Sequence, residues 1–439
     1  MRVGIDGFNL ALPFGTGVAT YSMSLAHAIQ TAGHQLDGVY GLRTPFRKVL
    51  RNVNFFEALG AEYQSKAPRS WSFGWGRELS WTVKARKARQ VDLHGKQEVR
   101  PFAHRLPDFD RLFTVSDLFD QAMRNFRRFG TFTTVSLPDA PDIMHWTYPW
   151  PIRVAGARNI YTMHDLVPMK LPYASLDNKK IYHKLMRACI RKGDHIATVS
   201  EASRADIVDF FPEAEGKITN TYQAIRPSAQ SLSLASGDEA EVGQAIKSIF
   251  RLDFQDYFLF FGAIEPKKNV GRLIEAYLAS GVKAPLVVLG RRAWGADVEL
   301  SLIQRDETRP MKTIFKNIRR IDYLPRRLLM LLVRGAKGVA FPSLYEGFGL
   351  PILEAMTLGT PVITANTSSM PEVAGSAALL VDPYDIQDIA AALRRIDTDA
   401  ELRADLFGRG IAQAEKFSMP AYQDRLNALY DSLLSGPRR

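Results

Sequence analysis

The sequence contains a single cysteine, Cys189, in 439 residues. One thiol can form neither a disulfide framework nor a thiolate metal cluster within the chain, and it suits a reducing compartment. No run approaches the roughly 18–20 apolar residues that a membrane-spanning helix needs. The opening Met1-Arg-Val-Gly-Ile-Asp meets an acid after a short apolar run, which is the pattern of a buried strand and not of a secretory signal. Long internal repeats and low-complexity stretches are also missing. These absences predict a protein made and kept in the cytosol.

What is present is size, charge and a repeated rhythm. With 46% hydrophobic residues over 439 positions, the chain exceeds the roughly 250–300 residues at which single cores stop growing, so two domains are expected. The net charge of +11 points to an anionic partner, and its distribution is uneven. Residues 64–130 hold Trp71, Trp75 and Trp81 among an excess of Lys and Arg over Asp and Glu. Basic residues interleaved with Trp suit an anionic membrane surface, and nucleic acid also attracts such a patch. A solvated helical face over buried aromatics is the plain alternative.

Strand-like runs at 2–6, 36–41, 142–146, 159–163, 195–200 and 218–222 alternate with helix-like stretches at 17–32, 177–192 and 201–210. The rhythm lapses over 226–256, read as a linker with one helix near its end, and restarts. Strands at 257–262, 286–290, 337–342, 361–365 and 378–381 then alternate with helices near 269–280, 325–335, 350–358 and 385–395. Alternation of this kind predicts parallel sheets covered on both faces. The expected division is 1–225, linker 226–256, 257–419, and a final helix within 420–439 packing back toward the first domain. Two facing sheets of this class leave a cleft at the carboxyl ends of their strands.

The most informative segment is Pro342-Ser-Leu-Tyr-Glu-Gly-Phe-Gly-Leu-Pro-Ile-Leu-Glu354. A strand runs through a glycine-bearing turn into a helix whose Pro351 suits the first turn. Gly347 and Gly349 let the backbone approach a ligand, and the helix start offers free N–H groups to an anion such as a diphosphate. Glu354, inside the helix, is placed to accept hydrogen bonds from a ribose diol, and Glu346, on the loop, to lie near a sugar ring. In Phe260-Phe-Gly-Ala-Ile-Glu-Pro-Lys-Lys-Asn269, Lys267 or Lys268 neutralises the departing diphosphate. Asp6-Gly-Phe-Asn-Leu-Ala-Leu-Pro-Phe-Gly15-Thr-Gly17 follows the first strand but lacks the third glycine of a dinucleotide fingerprint. The pair His164-Asp165 follows a strand end, where His164 meets a sugar hydroxyl or the acceptor and Asp165 fixes its orientation or tautomer. Two Asp-x-Asp triplets, Asp108 with Asp110 and Asp397 with Asp399, lie away from the strand ends, so no metal is expected and lysines with a helix dipole take the cation's place. A cleft without acid/base carboxylates from the N-terminal half argues against the competing nucleotide-sugar epimerase. A non-catalytic membrane or nucleic-acid binder is the competing class outside enzymes.

These motifs resemble the retaining glycosyltransferases of family 4, which have the GT-B fold of two facing Rossmann-like α/β domains with a deep cleft between them. Glu346, seven residues, then Glu354, together with Gly347-Phe-Gly-Leu-Pro and Gly359-Thr-Pro-Val, resemble the family's donor signature. The resemblance implies that Glu354 binds the ribose, Glu346 the sugar hydroxyls, and Lys268 the phosphate, within a donor set of Gly17, Lys267, Lys268, Glu346, Gly347, Phe348, Gly349, Leu350 and Glu354. Glu346, His164 and Lys268 would carry catalysis, and His164 and Asp165 would meet the acceptor. Many members carry an arginine where this chain has Ala263, and Lys267 is the expected substitute. The stretch His164-Asp165-Leu166 is similar to bacterial surface-polysaccharide members that are commonly mannosyl- or rhamnosyltransferases. The implied reaction moves a hexose, with GDP-mannose the favoured donor and dTDP- or UDP-sugars the alternatives. The implied partners are the nucleotide-diphosphate sugar, a lipid-linked saccharide and an anionic inner membrane face, with no cofactor and no nucleic acid.

Overall fold

The computed structural model describes residues 1–12, 17–44, 48–60, 84–93, 102, 106–225, 228–303 and 317–436. Strands Arg2–Asp6, Ile143–Trp146 and Arg158–Met163 are buried along nearly their whole length, as strands covered by helices on both faces must be. They sit in the middle of a sheet ordered Ile218–Asn220, His195–Thr198, Arg158–Met163, Ile143–Trp146, Arg2–Asp6, Gln35–Tyr40, Arg111–Thr114 and Arg89–Val91. The neighbours pair in parallel except for the last, which runs antiparallel to Arg111–Thr114.

The second sheet is parallel throughout and ordered Ile318–Ile321, Leu286–Leu289, Phe258–Phe261, Gly338–Phe341, Val362–Ala365 and Leu379–Val381. Counted along the chain, that order is 3-2-1-4-5-6, the arrangement of a doubly wound nucleotide-binding sheet. The direction of winding reverses between Phe258–Phe261 and Gly338–Phe341, and in the first sheet between Arg2–Asp6 and Ile143–Trp146. Each reversal opens a crevice at the carboxyl ends of its two strands. The fold class is therefore the one expected. Strands Ile318–Ile321, Arg111–Thr114 and Thr133–Ser136 were not anticipated. Ile318-Arg-Arg-Ile321 lies at a sheet edge, where polar side chains reach solvent and the apolar signal fades.

Residues 226–256 are more than a connector. Asp238 caps helix Glu239–Phe250 in a reciprocal capping box with Glu241, an arrangement contributing about 1 kcal/mol. Val242 and Ile246 of that helix are buried, and Ile246 lies against Gly335 of helix Arg326–Gly335, where even an added methyl would collide. The helix is thus a layer of the second lobe. Asp110 accepts from the Leu36 amide, Asp397 pairs with Lys337, and Asp399 caps helix Ala400–Glu415. Trp71, Trp75 and Trp81 fall outside the described residues. At the far end of the same basic segment, helix Leu118–Phe129 buries Phe119, Ala122 and Phe126.

Helix Met419–Ser435 returns to the first lobe. Its Tyr422, Leu426, Leu429 and Tyr430 are buried, a spacing that places them on one face. Gln423 donates to the Ala28 carbonyl on helix Gly17–Thr31, and the Tyr430 hydroxyl meets His145 Nδ1 at 2.7 Å. His145 Nε2 lies 2.9 Å from Thr162 Oγ1. Burial pushes the His145 pKa down to about 3, so the folded protein holds the ring neutral. An unfolded histidine titrates near about 6.5, and its preference for the proton pulls toward unfolding as pH falls below that value. The loss is about 1.4 kcal/mol per pH unit for this group, continuing to its folded pKa. The melting temperature is expected to fall from about pH 6.5 to about pH 4.5, and less steeply in His145→Gln. Equal slopes in the two proteins would show that His145 is not the buried base responsible.

Candidate donor site and the seam between the lobes

The site begins with two loops that leave adjacent strands of the second sheet. After Phe258–Phe261 the chain makes a single 3-10 turn, Pro266–Lys268, and Asn269 ends it in the left-handed region at φ 60°. Asn269 is buried and donates from Nδ2 to the carbonyls of Pro342 and Pro383 at 3.0 and 2.7 Å. The Lys267 carbonyl accepts from the Leu344 amide at 2.8 Å. These bonds lock the lysine loop onto the loop that follows Gly338–Phe341. They bring Lys268 Nζ to 2.5 Å from Glu346 Oε1, and the same ammonium lies 4.9 Å over the Phe341 ring. Burial would raise the Glu346 pKa, but Lys268 and Lys267 outweigh it and hold the carboxyl below the usual range. Burial likewise disfavours the Lys267 charge, yet Glu346, Asp165 and Glu265 together raise its pKa. Both groups are ionised at neutral pH.

Gly349 sits at φ 102° as the residue before helix Leu350–Thr357, a conformation that favours glycine. Glu354 is buried within that helix and is gripped at both oxygens by Arg326, at 2.6 and 3.2 Å. Lys267, Lys268, Glu346 and the start of the helix therefore converge on the crevice, with Glu354 one turn further along. Phe348 does not join them. Its ring is buried edge-on against Phe417 at 5.5 Å and lies 6.4 Å from Tyr222, because this large apolar side chain fills the space where the chain passes between the lobes.

Gly347 also makes a contact that the sequence did not show. A Cβ there would stand 2.4 Å from the His164 carbonyl of the opposite lobe, so the close approach is between two parts of the protein. Around it runs a seam of hydrogen bonds. Ser200 Oγ donates to the Gly347 carbonyl at 2.7 Å, and Ser203 Oγ lies within reach of that carbonyl and of the His164 carbonyl. Glu372 accepts with both oxygens from the Glu201 and Ala202 amides, at 2.8 and 3.2 Å. Those amides open helix Glu201–Phe210, where an anion is favoured by the unpaired N–H groups and the dipole. The Tyr345 hydroxyl donates to Asp206 at 2.6 Å.

On the first lobe, Asp6 ends the first strand fully buried and accepts from the Thr147 amide at 2.5 Å. Burial raises its pKa to about 6. The Thr147 carbonyl then accepts from His164 Nε2 at 2.9 Å. Asp165 was expected to orient His164, but the Thr147 carbonyl does so. The Asp165 carboxylate turns back to accept from the Val167 amide at 3.1 Å, as a short acid preceding a turn readily does. Burial lowers the His164 pKa, leaving a neutral ring whose Nδ1 can accept. A Cβ on Gly17 would meet nothing within 4 Å, so packing does not demand glycine there, and its neighbour Val18 lines the cleft. That cleft holds a cavity of about 320 Å³ lined from both lobes, including His164, Asp165 and Lys267. The expectation of no N-terminal carboxylates there is corrected, because Asp165 and Asp177 both line it.

Arg326, Glu372, Ser200, Ser203 and Thr147 escaped the reading of the sequence. Each acts on a residue far away along the chain, and none stands in a local pattern that marks it. Gly347→Ala is expected to keep both lobes folded, to widen the seam and to lower turnover at least about tenfold, since misplacing reacting groups by about 1 Å can cost 100-fold. Solution scattering should show a larger radius of gyration, and an unchanged radius with normal turnover would refute the role of the seam.

Residues 15–228 match the family described as Glycosyltransferase Family 4, and residues 245–411 match that described as Glycosyl transferases group 1. O-antigen chain mannosyltransferase B of Escherichia coli is 34% identical over 266 residues, covering 60% of this chain and 67% of that protein. Serotype-specific mannosyltransferase WbdA of Escherichia coli is 29% identical over 294 residues, 65% of this chain and 33% of that protein, so the chain spans about a third of WbdA. HepE of Anabaena, solved in complex with UDP and glucose, shares the fold over 98% of this chain and 100% of its own, with a TM-score of 0.66 at 14% identity. With both halves matched and the pair of facing sheets in common, the chain belongs to glycosyltransferase family 4, a GT-B enzyme that transfers a glycosyl group.

Proposed function

We propose that the chain transfers mannose from GDP-mannose, with retention at the anomeric carbon, to a lipid-linked or oligosaccharide acceptor in surface-polysaccharide synthesis. The observation that carries the reading is the convergence of Lys267, Lys268, Glu346 and the start of helix Leu350–Thr357 at the winding reversal of the second sheet. The lysines and the helix start neutralise the diphosphate, so no metal cofactor is required. Glu346 accepts from the sugar hydroxyls. Glu354 accepts from the ribose with its remaining lone pairs while Arg326 fixes its orientation. The choice of mannose rests on the names of the similar O-antigen and serotype-specific enzymes.

In the reaction, the bond from C1 to the diphosphate oxygen breaks and a bond from C1 to the acceptor oxygen forms on the same face. The acceptor's proton passes to the leaving diphosphate, and His164 Nδ1 accepts a hydrogen bond from a sugar or acceptor hydroxyl. Charge accumulates on the diphosphate as the sugar gains oxocarbenium character, so fixed cations at the phosphates lower the barrier. The basic Trp-bearing segment 64–130, whose tryptophans lie outside the described residues, supports an acceptor held at an anionic inner membrane face.

GDP is expected to raise the melting temperature more than UDP or dTDP, with about 2.7 kcal/mol of stabilisation at a hundredfold excess over its Kd. Stabilisation by UDP alone would overturn the choice of nucleotide. Lys268→Ala is expected to lower kcat more than tenfold, about 1.4 kcal/mol or more, with a smaller loss of GDP affinity and activity insensitive to EDTA before and after the change. Near-normal turnover in that variant would remove Lys268 from the mechanism.

A further inference from the structure

The cavity between the lobes differs in charge from the rest of the molecule. The chain carries +11 overall, yet among the described residues the cavity is lined by three carboxylates, Asp165, Asp177 and Glu265, against one ammonium, Lys267. That ammonium is already engaged, with Glu265 at 3.7 Å. The cavity also presents two aromatic side chains, Tyr148 from the first lobe and Trp294 from the second. Neither the Tyr148 hydroxyl nor the Trp294 indole N–H has a hydrogen-bond partner among the described residues, and both side chains are half-buried. Aromatic groups with an apolar face and an unused polar handle suit ligands that are apolar on one side and polar at the edge.

A pyranose ring has that character. Its C–H face packs on an aromatic ring, and its hydroxyls donate to carboxylates, which when ionised can only accept. A phosphate or a uronic acid on the acceptor brings neither advantage here, because a fourth anion beside three carboxylates is repelled in a partly desolvated site. We propose that this cavity is the acceptor subsite and that it selects an uncharged sugar ring, laid against Tyr148 and Trp294, over a phosphorylated or carboxylated one. The proposal rests on the reading of the cleft as a site of glycosyl transfer.

The test is saturation-transfer NMR on the full chain with methyl α-D-mannopyranoside and methyl α-D-glucopyranoside as uncharged probes, and mannose 6-phosphate and methyl glucuronide as anionic ones. Each is measured with and without GDP, beside GDP-induced thermal shifts. The uncharged glycosides are expected to show transfer, the anionic sugars little, and Trp294→Ala to weaken uncharged binding about tenfold or more while Trp294→Phe retains most of it. Asp177 is exposed on the rim, so Asp177→Lys should fold and should admit mannose 6-phosphate. Anionic sugars binding the wild type as well as uncharged ones, unchanged transfer in Trp294→Ala, or no transfer from either class while GDP still stabilises the protein would each overturn the proposal. Failure of every nucleotide to stabilise the protein would instead count against the glycosyl-transfer reading beneath it.

Discussion

The fit of one lobe against the other depends on a place between them where no side chain fits. At Gly347 the donor loop of the second lobe meets the His164 carbonyl at a separation that excludes even a methyl group. Gly347 lies on the loop after a strand that flanks the winding reversal of the second sheet, and His164 just beyond a strand one removed from the reversal of the first, so the two lobes touch beside their crevices. Hydroxyl groups from Ser200 and Ser203 satisfy the carbonyls at that point. Glu372 reaches from the second lobe to the opening of a helix on the first. The result is a cleft whose width is set by backbone contact and polar pairing, which are short-ranged and directional.

Within that cleft, charge is arranged in opposed pairs. Lys268 with Glu346 and Arg326 with Glu354 each join an acid buried by the protein to a base beside it. Such pairs contribute little to stability, because removing two charges from water costs about as much as their attraction returns. Their value lies in holding ionised groups in fixed positions before the ligand arrives, so that little reorganisation is needed during reaction. Lys268 and Glu346 meet at the crevice of the second sheet, and Asp165, Asp177 and Glu265 line the adjoining cavity with Lys267, Tyr148 and Trp294.

The lobes are also tied together behind the cleft. Phe348, Phe417 and Tyr222 pack together where the chain passes from one lobe to the other, and Arg425 lies 4.9 Å over the Tyr222 ring. Phe348 belongs to the donor loop, so the position of that loop is linked to the packing of the connections. The final helix, fastened through Tyr430 and His145, fixes the end of the chain to the first sheet. Opening and closing would therefore have to repack this aromatic cluster together with the seam at Gly347.

The strands at the centres of both sheets were legible because burial on both faces leaves a continuous apolar run, and the donor turn because glycine, proline and two spaced acids form a local pattern. Lys267, Lys268, Glu346 and Glu354 were picked out in this way, and the structure pairs Lys268 with Glu346 and Arg326 with Glu354. The strand Ile318–Ile321 was not, since an edge carries a weak apolar signal. What Phe348 and Gly347 pack against was not legible, because sequence shows that a residue is large or small without showing what lies opposite. The hold of Thr147 on His164, of Arg326 on Glu354 and of Glu372 on helix Glu201–Phe210 joins positions 17, 28 and about 170 residues apart. By itself the sequence determined the two-sheet fold and the glycine-bearing turn into helix Leu350–Thr357, since both arise from periodicity and from neighbours along the chain. The width of the cleft, the orientation of its acids and the aromatic cavity beside His164 were decided only by the tertiary structure, because they depend on which distant surfaces the two lobes bring face to face.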